Sequence, residues 1–341
     1  MTNLNRRAIL AGAGSLSLTA LAGCSTIENL GGGSQQEADL TAYRTATVEL
    51  APNPDIHSAT EIVLSSDLVS SEEDTTIPTQ QQIRVQVGEN SENWRTDPYF
   101  FTSKTNTSYS QEQTGTVWLS NRGFDRTELE PGDRVTLRPF TTAQEFDSRD
   151  QAQNQDECLE QSFDNSGRTI FLAPYGGNMF TNTGRQAFVG TSEADLSSWS
   201  LYGYGSTSTE ARRRWQIPTD ELVPASFVGF SQLSDSYQNV LMFLGMGPNE
   251  HPSDIVVGGL APMEERQSVA EAIREAFSEE DNIDVVVENT GDIVEDDPAQ
   301  ITNSLSSGNR GGISLTQNPR IRREHWYDVA QAMAEHFGSS Y

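Results

Sequence analysis

The sequence predicts an α/β C-terminal domain with a mixed or parallel sheet, preceded by a small all-β domain. Three observations carry this. Residues 168–341 hold several nearly continuous apolar runs, as strands buried on both faces should be. Helical repeats lie between those runs. Residues 41–141 instead show short strand-like runs separated by polar and turn residues, the pattern of a sandwich or barrel of about 100 residues.

In the first of these regions the runs are TATVEL, QQIRVQVG, GTVWLSN and DRVTLRP, with Pro131-Gly132-Asp133 as the turn into the last. Asn106-Thr107-Ser108 has the form of a glycosylation sequon. Residues 142–167 are polar and acidic and read as an interdomain linker. Beyond them, RTIFLAP, SSWSLYGYG, NVLMFLGMG, SDIVVGGL, NIDVVVEN and GGISLTQN are the candidate strands. SVAEAIREAF sets Val269, Ile273 and Phe277 on one helical face. EHWYDVAQAMAEHF does the same with Trp326, Val329, Met333 and Phe337.

The N-terminus carries targeting information. Arg6-Arg7 is a twin-arginine start, Ala8 to Ala22 is apolar and small, and Leu21-Ala22-Gly23-Cys24 has the form of a lipoprotein cleavage site. Cleavage after residue 23 would leave a lipid on Cys24, a flexible tether over 24–40, and a protein held at the extracytoplasmic face of the cell membrane. The membrane, through that anchor, is the first expected partner.

Charge excludes another class of partner. The chain has 22 Lys+Arg against 49 Asp+Glu, a net charge of −27; losing Arg6 and Arg7 with the signal makes it −29, from −27 minus 2. A field of that sign repels phosphate backbones, so no nucleic-acid partner is expected. Lys104 is the only lysine. An acidic, lysine-poor surface resembles proteins of salt-in halophiles, where ions screen the repulsion. Once the signal is gone Cys158 is the only cysteine, so the fold must stand on its core; acidic neighbours make it an incidental thiol, not a nucleophile.

Residues 168–180, RTIFLAPYGGNMF, end a buried strand in a tight loop, the place where open α/β sheets bind ligands. Yet the loop offers Tyr175 and Phe180 and no histidine or carboxylate. Taken together, LAPYGG, LSSWSLYGYG, RRRWQIPTDELVPASF, VLMFLGMG, IVVGGLAP, QITNSL, GNRGGISLTQN and EHWYDVAQAMAEHF, in that order, resemble the phage-related poly-γ-glutamate hydrolases over roughly residues 165–338. That resemblance implies an α/β fold similar to zinc carboxypeptidases, and a zinc-dependent hydrolase site.

At the positions that carry the chemistry, however, this chain departs from the pattern. Tyr175 stands where the family has a histidine and Phe180 where it has a glutamate. Gln216, in Trp215-Gln216-Ile217, and Leu244, before Gly245, replace two further histidines. Thr316 replaces a glutamate, and Asn303-Ser304 an Asn-Arg pair. A catalytic zinc needs about three N, O or S side-chain ligands and an open position. Phenol, phenyl, amide, alkyl and hydroxyl groups do not supply them, so no metal and no cofactor is expected. None of the four histidines has metal-ligand spacing; Glu250-His251 is the pair worth inspecting, in the loop beyond Leu244.

Two readings of the remaining cleft stay open. Tyr175, Phe180, Tyr202, Tyr204, Trp215 and Phe243 either line a pocket or fill the volume of a lost metal site. Arg212, Arg213, Arg214, Arg310, Arg320, Arg322 and Arg323 either form an anion-recognition patch or neutralise nearby carboxylates. Tyr175, Tyr202, Trp215 and Arg310 are the ligand-binding candidates. The expected function is binding or scaffolding at the cell surface, by an anionic ligand or a surface partner, on a hydrolase-like domain without metal or catalysis. The alternatives are a metal-dependent amidase or peptidase of γ-glutamyl or related acidic polymers, drawing on Glu250, His251 and Tyr175, and a structural envelope or virus-derived component.

Overall fold

Six strands close into a barrel in the N-terminal part of a computed structural model that describes residues 43–53, 57–69, 76–88, 98–105, 113–139, 141–142, 146, 148–165, 167–234, 236–278, 281–289 and 295–338. Arg6, Arg7, Cys24, the tether and the sequon lie outside the described residues. The strands are β1 (Arg44–Leu50), β2 (Glu61–Leu64), β3 (Gln82–Val87), β4 (Pro98–Thr105), β5 (Thr116–Leu119) and β6 (Arg134–Arg138). Their order is β1-β5-β2-β4-β3-β6, closed by antiparallel pairing of β1 with β6. The pairs β1–β5 and β2–β4 are parallel. Alternate residues fill the interior: Ala46 and Val48, Ile62 and Leu64, Ile83 and Val85, Tyr99 and Phe101, Val117 and Leu119, Val135 and Leu137. Period-two patterning is what a strand with one core-facing side requires. Of the two architectures allowed by the sequence, the barrel is the one present.

The outward face of β3 and β4 is also buried, since it packs on the second layer. Phe100 meets the Trp215 ring edge-on at 5.0 Å and Phe227 at 6.3 Å. The fully buried Arg84 pairs with Glu157. Helix α1 (Asn121–Thr127) follows β5, with Ser120 Oγ accepting from Gly123 N at 3.0 Å as its N-cap.

Residues 142–167 are not a linker. They contain helix α2 (Arg149–Asn154) and strand β7 (Cys158–Phe163), which pairs antiparallel with a strand of the second sheet. Barrel and sheet belong to one compact unit, Leu40–Tyr341. The Cys158 thiol is fully buried; burial and then the Glu157 charge push it well above the usual thiol range, consistent with an inert side chain.

The second sheet contains β7, β8 (Thr169–Gly177), β9 (Ser197–Gly203), β10 (Asn239–Gly245), β11 (Ile255–Gly258), β12 (Val285–Val287) and β13 (Ile313–Gln317), in the order β12-β11-β13-β10-β8-β9-β7. It is mixed: β7 and β11 run against β9 and β13, and the other pairs are parallel. All six strands predicted for the C-terminal region are present, and the fold class is α/β with a mixed sheet. One face packs on helices α3 (Thr183–Ala194), α5 (Met263–Glu275) and α7 (Trp326–Gly338), through Val269, Ile273, Val329, Met333 and Phe337. A π-helical segment, Ile321–His325, leads into α7. On the other face lie α4 (Ser208–Trp215), the short helix α6 (Ile301–Ser304) and the barrel, around Trp199, Trp215, Phe227 and Phe100. Among the described residues no helix is long and apolar enough to cross a membrane.

Candidate functional site

A cavity of about 1140 Å³ opens where the parallel strands β8, β10 and β13 end, with α4 and the barrel forming its other walls. That is the edge at which open α/β sheets bind ligands. Tyr175 reaches it from the end of β8 and Phe180 from the loop that follows, Leu244 and Gly245 from the end of β10, and Thr316 from β13, while Gln216 enters at the end of α4. Leu244 and Thr316 are register partners on adjacent strands. Five of the six positions singled out from the sequence therefore share one cleft. The sixth, Ser304, is exposed on its short helix, where its hydroxyl donates to Ile301 O at 3.3 Å; it does not line the cleft.

The loop after β8 is held by its own hydrogen bonds. Phe180 N donates to Tyr175 O at 2.9 Å, and Thr183 Oγ1 to Phe180 O at 2.9 Å. This sets the Phe180 ring edge-on to Tyr175, 5.9 Å between centroids. The Tyr175 hydroxyl donates to Ile217 O at 2.6 Å. Burial pushes this phenol well above its usual range, and the charges of Glu295, Asp220 and Glu221 push the same way. It stays protonated, with its proton already committed.

This chemistry decides whether the group implied by the resemblance would fit. Zinc would have to sit among Tyr175, Phe180 and Leu244, and these offer a committed phenol, a hydrocarbon ring and an alkyl chain. Gln216 and Thr316 add an amide and a hydroxyl. The set does not fit a divalent transition metal. Among the described residues, no three His, Cys, Asp or Glu side chains come together in a metal-holding group.

Several sequence candidates are corrected by their positions. Trp215 is fully buried, with its indole N–H donating to Tyr204 O at 2.6 Å; it is core. Tyr202 packs with Ala152, Leu159 and Tyr204 beneath the Arg149 guanidinium. Phe243 lies in the core on the other face of the sheet. Of the six aromatics, only Tyr175 and Phe180 line the cleft, and the rest fill interior volume. Arg310 is exposed, paired with Glu265, and away from the cleft. Arg213 and Arg214 pair with Glu128 and Glu210, both at 2.7 Å. His251 points elsewhere: its Nε2 meets Glu288 Oε1 at 3.0 Å, and its Nδ1 accepts from Ser253 N at 3.1 Å. Glu250 does line the cleft, with Oε2 accepting from Gly247 N at 2.7 Å.

Several charged groups in the cleft were not among the sequence candidates, Arg122 and Asp125 of α1 among them. Glu295 accepts from Thr219 Oγ1, and burial raises its carboxyl from the ordinary value near 4.5 to about 7. Its loop is pinned by the buried Asn303, whose Nδ2 donates to Glu295 O and Asp297 O, both at 2.8 Å. Arg126, from the barrel side, donates to Phe100 O and Arg213 O at 2.6 Å, and to Gln216 O and Arg214 O at 3.2 and 3.3 Å. It thereby caps the C-terminus of α4, where carbonyls point outward unpaired and a cation is favoured. Asp220, between Thr219 and Glu221, is another.

No protein-family model matches this chain, and no curated protein does. Among solved structures, it is similar to a bacteriophage poly-γ-glutamate hydrolase, with 16% identity and a TM-score of 0.44, over 54% of this chain and 89% of that one. It is also similar to zinc-free YNDL, with 17% identity and a TM-score of 0.44, over 54% of this chain and 91% of that one. The overlap is loose in both.

Proposed function

We propose that this chain is a binding protein held at the outer face of the cell membrane, and that its cleft works without metal. The donor set carries this reading. Five positions from four separate segments face one cleft, and none presents an imidazole, carboxylate or thiolate. A large concave site in which charged and polar groups of both signs surround Tyr175, Phe180 and Leu244 suits recognition. The anchor at Cys24 and the export signal at Arg6 and Arg7 are the sequence basis for the location.

The test is elemental analysis of the purified chain in high salt, after incubation with excess zinc and removal of the free ion. Less than a tenth of an equivalent is the expected result, read as an order-of-magnitude threshold for the absence of a structured site. One tightly held zinc per chain would refute it.

One observation favours a second reading, hydrolysis of γ-glutamyl or related acidic polymers by acid–base chemistry. A cleft carboxyl near neutral pH can both give and take a proton. On this reading Glu295 is the acid–base group, and His251, engaged outside the cleft, takes no part. Turnover of poly-γ-glutamate that disappears in Glu295→Gln would establish it; no turnover by the native chain would leave binding as the function.

A further inference from the structure

The Phe180 ring has two guanidinium groups close to it. Arg322 lies 5.0 Å from the ring centroid and Arg212 lies 5.6 Å away. Arg322 is almost fully buried and spends its donors on the backbone: Nε on Gln317 O at 3.1 Å and Nη2 on Met246 O at 3.0 Å. Burial, then the charge of Arg212, hold it down to about 10, so it remains a cation at neutral pH.

Arg212 is in a different situation. It lines the cleft from α4 and is half-buried. Its two neighbours on the helix are neutralised by Glu128 and Glu210. Among the described residues, Arg212 itself has no carboxylate within 4.0 Å, and its guanidinium lies against the Phe180 ring. In a chain with 49 acidic residues, an arginine that faces a cavity beside a second arginine, without a counter-ion, is set against the general balance. Two like charges this close raise the potential at the cleft wall and favour an anion there. The cleft also bears Asp125, Asp220, Glu250 and Glu295, and the charge of Glu250 acts on Arg322 itself; together they disfavour a ligand of high negative charge.

We propose that Arg212, with Arg322 behind it against Phe180, forms a subsite for a single carboxylate group of an organic acid. Guanidinium is suited to this: its planar fork matches the two carboxylate oxygens, and it stays charged in a partly desolvated site. The inference rests on the cleft being a metal-free binding site, as proposed above, and adds the ligand class.

The experiment is calorimetric or NMR titration of the full chain with N-acetylglycine in high salt, with N-acetylglycinamide as the neutral isostere and inorganic phosphate as a second anion. The acid is expected to bind saturably and at least about tenfold more tightly than the amide, the scale of a charge-assisted bidentate pair. Phosphate is expected to bind more weakly than the acid. Arg212→Gln should lose the preference for acid over amide with an unchanged melting temperature, because among the described residues the Arg212 side chain makes no hydrogen bond that its loss would break. Equal affinity for acid and amide, unchanged acid binding in Arg212→Gln, or no saturable binding of the acid would each overturn the subsite. A zinc ion in the cleft overturns the underlying reading instead, so the two failures are separable.

Discussion

Thr219 Oγ1 donates to Glu295 Oε2 at 2.5 Å, in a cleft where burial raises that carboxyl to about 7. The hydrogen bond favours the ionised form, and the charges of Asp220 and Asp296 oppose it; burial is the largest influence. The folded state therefore holds this proton more tightly than the unfolded chain does. The stability contributed by Glu295 is fully present below about pH 4.5 and is lost as pH rises to about 7. Glu295→Gln removes that dependence while keeping an acceptor for Thr219. The difference in unfolding free energy between variant and native chain should grow in favour of the variant across this window. Its plateau above pH 7 should be on the order of 3 kcal/mol, at about 1.4 kcal/mol per unit. Denaturant titrations at a series of pH values at fixed salt would measure it; a flat difference would show that the carboxyl is not raised.

Arg126 supports a prediction about the joint between barrel and sheet. Its four bonds to backbone carbonyls tie β4 to the C-terminus of α4, and burial lowers it to about 10, still charged at neutral pH. Arg126→Met keeps much of the stem and removes every donor. Loss of roughly 3–5 kcal/mol is expected, the cost of breaking a buried charge network and leaving its acceptors unpaired. Lysine should rescue little, since a compact ammonium cannot reach carbonyls spread along a helix end. The midpoint of guanidinium unfolding reads both variants.

The ends of β8 and β9 depend on a close backbone approach. Gly177 has φ +70°, and a Cβ there would lie 2.6 Å from Gly203 O. Gly177→Ala combines left-handed strain with a clash against main chain, which cannot turn aside as a side chain could. A loss of about 2 kcal/mol or more follows, measured as a lower melting temperature. An unchanged melting temperature would mean that the loop relaxes freely.

Much of the framework could be read from the residues, and the reasons are local. β8 and β10 are legible as apolar runs because both of their faces are covered. CLEQSF, the edge strand β7, was not, since one side of an edge needs no apolar cover and its Glu160 serves Trp199 Nε1 at 2.7 Å and the backbone of Phe230 at 2.7 Å. β2 is only four residues long, and β4 opens on Pro98, so neither announced itself. Block order picks out Tyr175, Phe180, Gln216, Leu244 and Thr316, which line the cleft, whereas Tyr202 and Trp215 lie in the core. Tyr202 stands on a strand buried on both faces and Trp215 at the end of a helix packed on the sheet, so residue type alone does not say which ring faces a cavity. Glu295 was missed because DIVEDD reads as a solvated acidic loop; its burial depends on Asn303, eight residues on.

Supplying metal-ligand side chains at the cleft positions tests the donor-set argument most sharply. Tyr175 and Phe180 are in edge contact, and both share one apolar cluster and one cavity with Leu244. Side chains replaced at Tyr175, Phe180 and Leu244 would therefore line the same cavity. The triple variant Tyr175→His, Phe180→Glu, Leu244→His supplies two imidazoles and a carboxylate, the donor set of a catalytic zinc with an open fourth position. It is expected to take up one zinc per chain in competition with a chromophoric chelator, where the native chain takes none. Arg212 and Arg322 lie against position 180 and would pair with the new glutamate, so uptake should be weak, with removal of Arg212 strengthening it. No uptake by the triple variant, with or without Arg212→Gln, in a chain that remains folded, would show that these three positions do not converge as described. Uptake by the native chain would mean that other residues hold the ion.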